Sequence, residues 1–266
     1  MTSEWQNLWA AGRLDEAIAA MNGEVRKNPT DIDRRAILAE LLSFAGNLER
    51  ADTILASIEA IDPRAAVGVS LFRQLVRAEQ ARQQFWSEGR VPEFLAMPEG
   101  SVECELKAAV AWRAGALVEA AALAAEGESL RPKSAGTLDN VAFDDFRDLD
   151  DLTGAHFEVL TSTGKYFWVP VARVSSIEFR APERRRDLLW RRAAMSVIGG
   201  PDGEVFIPTI YAAPAQDIDA QYRLGRTTDF AGPENGPMTG KGLRSFLVGE
   251  DSKTVLELGK IEFSRP

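Results

Sequence analysis

Ala11-Gly12-Arg13-Leu14-Asp15-Glu16-Ala17 returns as Ala45-Gly46-Asn47-Leu48-Glu49-Arg50-Ala51 and again as Ala114-Gly115-Ala116-Leu117-Val118-Glu119-Ala120. In each copy a proline follows the glycine by 17 positions: Pro29 after Gly12, Pro63 after Gly46, Pro132 after Gly115. The first two glycines lie 34 positions apart, and the third follows after a further 69, one more than two such periods. A glycine at this place ends one helix and starts a turn, where a positive φ is often needed. Leu14, Ala17, Ile18 and Met21 then follow i, i+3, i+4, i+7, one helical face. Leu48, Ala51, Asp52 and Leu55 repeat that face with one polar substitution. Ala17, Ala51 and Ala120 are small enough for paired helices to approach closely. Pro29 and Pro63 stop the second helix of their units, and Thr30-Asp31 and Asp62 suit the caps around the next ones.

A period of about 34 is that of the tetratricopeptide helix-turn-helix unit. Residues 1–132 therefore read as a domain of TPR-like antiparallel helical repeats, an architecture that binds protein segments far more often than it does chemistry. Two units are irregular. Residues 65–98 lack the Ala-Gly phrase and predict a degenerate helical pair, with a helix to about Gln84, a turn over 86–92 and a second helix opening at Pro92. In the first helix of a unit the usual small residue is Ala39 or Ala108 in two copies but Trp5 in the first, so that helix is read as a cap or as packing differently. Ser101 to Ala114 and Leu117 to Leu130 form the last pair. Trp5, Trp9, Phe44, Trp86 and Trp112 suit the inter-helix core. Trp5, Trp9 and Phe44 are also the candidates in this half for an apolar groove that takes a partner helix.

Composition bounds the class. A chain of 266 residues, 45% hydrophobic and 27% charged, is long enough to bury a real core. Its net charge of −9 opposes a nucleic-acid partner, which needs clustered Lys and Arg that outweigh the overall field. Cys104 is the single cysteine, so no intrachain disulfide forms and a reducing compartment fits. Met1-Thr2-Ser3-Glu4-Trp5 lacks the basic start and apolar run of a secretory leader, and no stretch is apolar enough for a membrane span. The expectation is a soluble cytoplasmic protein with neither membrane nor nucleic acid as partner.

Residues 131–140 shift to turn-forming composition, and beyond them the period changes to that of strands. The segments 157–160, 166–171 and 174–179 are short and rich in β-branched and aromatic residues. The segments 195–198 and 204–207 flank Gly199-Gly200-Pro201-Asp202-Gly203, a five-residue hairpin loop, and 209–211 continues past Pro208. Late strands are expected at 244–248 and 255–258, with a long Gly- and Pro-rich loop over 225–243. The fold class is α+β, with a β-rich domain over 133–266.

Candidate chemistry is sparse. Asp144, Asp145, Asp148, Asp150 and Asp151 crowd into eight positions, but the ordered calcium-loop pattern with its closing Glu is absent. Asp148 and Asp151 at i, i+3 are accounted for by helix-surface acidity and capping. His156 is the only histidine, so a His-based metal site or triad lacks a second imidazole. Cys104 reads as a small core residue. No Walker loop, dinucleotide fingerprint or Gly-x-Ser-x-Gly elbow is present, and the segment 236–242 lacks P-loop spacing. No catalytic, cofactor-binding or metal residue is assigned. One basic cluster stands out on an acidic chain: Arg184, Arg185, Arg186, Arg191 and Arg192 around Trp190. If helical, Arg184, Leu188 and Arg191 share a face. The cluster reads either as internally paired charge or as a protein-binding surface, since Arg and Trp are enriched at hot spots.

The same region carries a likeness. Tyr166-Phe167-Trp168-Val169-Pro170 and the run from Ile177 to Ala193, centred on Leu188-Leu189-Trp190-Arg191-Arg192, resemble the ImpE/TagJ family of type VI secretion accessory proteins. The segments 203–211, 224–230 and 242–249 continue it, so the resemblance spans nearly the whole chain. It implies an accessory factor and not an enzyme: a cytoplasmic adaptor between the small contractile-sheath subunit (TssB-like) and the sheath-recycling AAA+ ATPase (ClpV-like). The competing expectation is a metal-dependent hydrolase or transferase that uses the aspartate run in the second half.

Overall fold

The computed structural model describes residues 3–212 and 219–264; Met1 and Thr2 of the stretch read for a leader lie outside them. Helices come first: α1 (Glu4–Ala10), α2 (Leu14–Lys27), α3 (Ile32–Phe44), α4 (Leu48–Ile61), α5 (Ala66–Glu88), α6 (Gly100–Arg113) and α7 (Leu117–Leu130). The three Ala-Gly phrases mark the α1–α2, α3–α4 and α6–α7 turns, with Gly12, Gly46 and Gly115 all at positive φ between 73° and 78°. Asp31 and Asn47 cap α3 and α4, their side chains accepting from the backbone N–H of Arg34 and Arg50. Leu14, Ala17 and Met21 of α2 and Leu48, Ala51 and Leu55 of α4 bury the predicted stripes, and Leu38, Ala39 and Leu42 of α3 are buried with them. Trp5 of α1 is buried as well.

The degenerate pair is not a pair. α5 is one long helix closed by the left-handed Gly89, and residues 90–98 carry no second helix. The reason lies in the other half: the backbone of Glu93 bonds to the exposed edge of a strand, donating to Tyr166 O at 2.9 Å and accepting from Trp168 N at 3.1 Å. A sheet edge offers unpaired donors and acceptors, and this strip satisfies some of them.

The second half is mostly antiparallel β: β1 (Gly136–Leu138), β2 (Val141–Phe143), β3 (Phe146–Asp148), β4 (His156–Leu160), β5 (Tyr166–Pro170), β6 (Val174–Phe179), β7 (Trp190–Val197) and β8 (Asp202–Pro208). After the one-turn α8 (Ala220–Arg223) come β9 (Thr228–Ala231), β10 (Thr239–Gly242), β11 (Ser245–Val248), β12 (Asp251–Thr254) and β13 (Lys260–Phe263). The main sheet runs β2-β1-β13-β6-β7-β8-β4-β5, with smaller sheets β12-β11-β3 and β10-β9.

Three expectations change here. The Gly- and Pro-rich loop contains the β9–β10 hairpin. Residues 255–258 form a turn that buries Val255 and Leu258. The aspartate run lies on β3 and the turns on either side of it, not on a helix. One core cluster, around Phe146, Phe157, Ile177 and Phe246, belongs to the sheets. Another begins with Trp5 and Leu14 and continues without interruption to Trp168, Trp190 and Phe206, so helices and main sheet share an interior.

Candidate functional site

Helix α5 positions the site. Phe72, Leu75, Val76, Glu79, Arg82 and Phe85 are all buried, so two charges sit on its apolar face. They meet the sheet. Glu158, in the centre of the fully buried strand β4, accepts from Arg82 Nη2 at 2.9 Å, from Trp86 Nε1 at 3.2 Å, from the Tyr166 hydroxyl at 2.5 Å and from Arg244 Nη2. Glu79 accepts from Arg82 Nη1 at 3.1 Å and from Trp190 Nε1 at 3.0 Å. Arg244 also faces Asp148 at 3.5 Å, and Asp148 accepts from the Tyr211 hydroxyl at 2.7 Å. This seam of two guanidiniums and three carboxylates joins α5, β3, β4, β7 and the residues before β11.

Its electrostatics follow from burial. Although burial opposes ionisation of Glu158, the Arg82 and Arg244 guanidiniums hold its carboxyl well below the usual range. Burial dominates at Glu79 and Asp148 and pushes both carboxyls up. Asp150 is pushed up to about 7, by burial and then by the neighbouring Asp148 charge. A second link runs from α6: Glu105 accepts from Ala155 N and meets His156 Nδ1, both at 2.6 Å, while the imidazole stacks on Trp168 at 3.8 Å. His156 is thus a buried packing residue.

Beside the seam lies a cleft of about 510 Å³. Phe44, Glu79, Arg82, Trp86 and Trp112 line its helical side; Leu189, Trp190, Ile210, Tyr211, Tyr222 and Arg223 line the other. Trp86 and Trp112 are half-buried and meet edge to face at 6.3 Å. An aromatic cleft with a few fixed charges suits the capture of an apolar segment.

The sequence-predicted residues separate into three groups. Phe44 lines the cleft, packed edge-on against Trp9 at 4.8 Å. Trp5, Trp190 and Arg191 are used inside: Arg185 lies 5.1 Å over the Trp5 ring and pairs with Glu40 at 2.8 Å, Trp190 bonds to Glu79, and Arg191 donates to Arg180 O at 3.0 Å and lies over Phe179. Arg184 is exposed, and Arg186 and Arg192 are partly exposed. The five arginines do not share one face, because the segment is a short 3₁₀ turn (Arg185–Leu188) leading into β7 rather than a helix. Glu79, Arg82, Glu158, Tyr211 and Arg244 were not singled out in the sequence. The available signal was a charge on an apolar periodicity: Glu79 and Arg82 on the buried face of α5, and Glu158 between Phe157 and Val159.

The aspartates act as turn staples. Asp145 pairs with Arg131 at 2.6 Å; Asp150 accepts from Leu152 N and Gly240 N, each at 2.8 Å; Asp151 accepts from Met238 N at 2.8 Å and pairs with Arg147 at 3.2 Å. Among the described residues no group of three or more His, Cys, Asp or Glu is arranged to hold a metal ion, and no helix is long and apolar enough to cross a membrane.

Comparison with known proteins agrees with this architecture. Residues 8–71 match the tetratricopeptide repeat family model, and residues 140–262 match the ImpE protein family model. The chain is 27% identical over 258 residues to the type VI secretion system accessory component TagJ of Pseudomonas aeruginosa, covering 97% of this chain and 90% of that protein. The crystal structure of protein VPA1032 from Vibrio parahaemolyticus superposes with a TM-score of 0.93 at 26% identity, covering 99% of this chain and 98% of the other. An ImpE region that contains the β half of the seam, together with a likeness to TagJ that runs through the helices as well, supports the ImpE/TagJ family for this chain.

Proposed function

We propose that this protein is a non-enzymatic, cytoplasmic adaptor of a bacterial type VI secretion system, and that the cleft beside the seam holds a segment of the small contractile-sheath subunit. The observation that carries the reading is the aromatic cleft between repeat helices and ImpE region, on a chain similar over 97% of its length to a type VI accessory component. Helix-in-groove capture places apolar side chains at i, i+3, i+4 and i+7 into such a lining. The sheath-recycling ATPase is assigned to a second surface on the β half, where Arg184, Arg186 and Arg192 are at least partly exposed and, unlike Arg185, are not paired with Glu40. The charges of the seam are paired with one another inside the fold, and Asp145, Asp150 and Asp151 are engaged by Arg131, by backbone amides and by Arg147.

The test is calorimetric titration of the purified sheath subunit and, separately, of the ATPase into the full chain. Trp112→Ala should weaken sheath-subunit binding by about 2 kcal/mol, the scale of an aromatic hot spot. Replacing Arg184, Arg186 and Arg192 with Glu should weaken only the ATPase. Folded wild-type protein that binds neither partner refutes the reading.

A further inference from the structure

Among the described residues four charged groups bear on the cleft, and three are already neutralised inside. Glu79 is held by Arg82 and Trp190, and Arg82 is held by Glu79, Glu158 and the Ile210 carbonyl. Their side chains are 11%, 4% and 0% exposed for Glu79, Arg82 and Glu158. Arg223 differs. It lines the rim, its Nη2 lies 2.9 Å from Asp15 Oδ2, and Asp15 is 72% exposed. An ion pair with so exposed a partner contributes about 0–1 kcal/mol, so exchanging one carboxylate for another there costs little. The guanidinium is itself well placed and largely covered, with side-chain exposure of 17%. Phe44, Trp86, Trp112, Leu189, Ile210 and Tyr222 form an apolar wall, and Ser43, Gln83 and Ser87 add neutral polar groups to the lining. On a chain of net charge −9, the described residues of the cleft thus offer one exchangeable cation, Arg223, beside an apolar wall.

We infer that the cleft selects an acidic amphipathic protein segment, whose apolar face lies on the aromatic wall and whose carboxylate takes the place of Asp15 on Arg223. The inference rests on the cleft being the partner site and names the chemistry of the segment that enters it. A fork-shaped guanidinium suits a carboxylate in two-point contact, and Asp15 already occupies that fork through both oxygens, at 3.3 and 2.9 Å. Asp15 is then a competitor of the incoming acid.

This competition gives the test an opposite sign for two residues that bond each other. Two synthetic amphipathic helical peptides with the same leucine face, one flanked by glutamates and the other by glutamines, are titrated into the full chain by calorimetry. The glutamate peptide should bind about tenfold more tightly, the scale of one charge-assisted hydrogen-bonded contact. Asp15→Asn should tighten the glutamate peptide and leave the glutamine peptide unchanged. Arg223→Gln should abolish the preference. The double variant Asp15→Arg, Arg223→Asp keeps the internal pair and should reverse the preference toward a lysine-flanked peptide, so a loss of fold is not confused with a loss of recognition. Equal affinities for the two peptides, no binding of the glutamate peptide, or weakening by both single variants overturns the inference; the last result makes the pair a structural clasp. A sheath subunit that fails to bind where the glutamate peptide binds counts against the adaptor reading alone.

Discussion

The interior of the helical repeats and the seam between helices and sheet bury side chains by opposite means. Between α2, α3 and α4 the contacts are Leu14, Ala17, Met21, Leu38, Leu42, Leu48, Ala51 and Leu55, with no charge among them. On α5 the wall carries Glu79 and Arg82, facing Glu158 and Arg244. Apolar contacts are non-directional and tolerate repetition, so three copies of one phrase can be stacked. Buried ions are costly unless geometry satisfies them, and in exchange they allow few alternative dockings. The repeats thus form a stackable scaffold, while the seam fixes one placement of the sheet on that scaffold and with it the walls of the cleft.

The comparison breaks most severely at Glu158. Glu158→Gln keeps the shape but leaves Arg82 and Arg244 facing each other without their shared carboxylate. The expected loss is about 3–5 kcal/mol, read from urea unfolding, the scale for removing one partner of a buried charge pair. A loss below about 1 kcal/mol would show that the seam is no more demanding than a surface ion pair. In the repeats, Leu55→Ala removes a buried apolar side chain and should cost about 2–4 kcal/mol by lost transfer energy and a residual cavity. The same measurement separates the two interiors by salt: the Leu55 variant's cost should not change with ionic strength.

Asp150 sharpens the contrast through pH. Its folded carboxyl is raised to about 7 from an ordinary 3.8, so the protonated form is the one favoured by folding. The stabilising contribution is complete below the unfolded value and is lost as pH rises through 7. Asp150→Asn should therefore flatten the difference in urea midpoint between pH 4 and pH 8. Its net effect at neutral pH is modest, because relief of the buried charge is offset by one fewer acceptor for the Leu152 and Gly240 amides. An unchanged slope would assign the pH dependence to other buried acids.

The smallest effect belongs to the repeated turn. Gly115 has a φ of +77° and open space around the site of a Cβ, so Gly115→Ala should cost about 1–2 kcal/mol of backbone strain and nothing more. At Gly12 the same φ is combined with a contact across the two halves: a Cβ would lie 2.2 Å from Gln221 Nε2. Gly12→Ala should cost more than Gly115→Ala, by an amount that Gln221→Ala removes in a double-mutant cycle.

Much of the fold was legible because it repeats or alternates locally. The glycine-to-proline spacing located three helical turns, and the β-branched runs located β4, β5, β6 and much of the β7–β8 hairpin. The reading failed where a segment's state depends on a distant partner. Residues 90–98 become a strip along β5 because that edge needs backbone partners. Val255 and Leu258 are buried in a turn because β12 and β13 leave for different sheets. The arginine-rich segment gave its composition correctly but not its direction: Trp190 and Arg191 turn inward, while Arg184 stays outside.

The sequence by itself determined a TPR-like helical half, a β-rich half and a likeness to a family, since period, turn chemistry and local phrases are written in consecutive residues. The tertiary structure alone decided that Glu158, 76 positions beyond Arg82 and 86 before Arg244, is their shared counter-ion. It also decided that the cleft is built from both halves. Pairing of buried charges is a matter of three-dimensional distance, and no spacing along the chain encodes which carboxylate an arginine will meet.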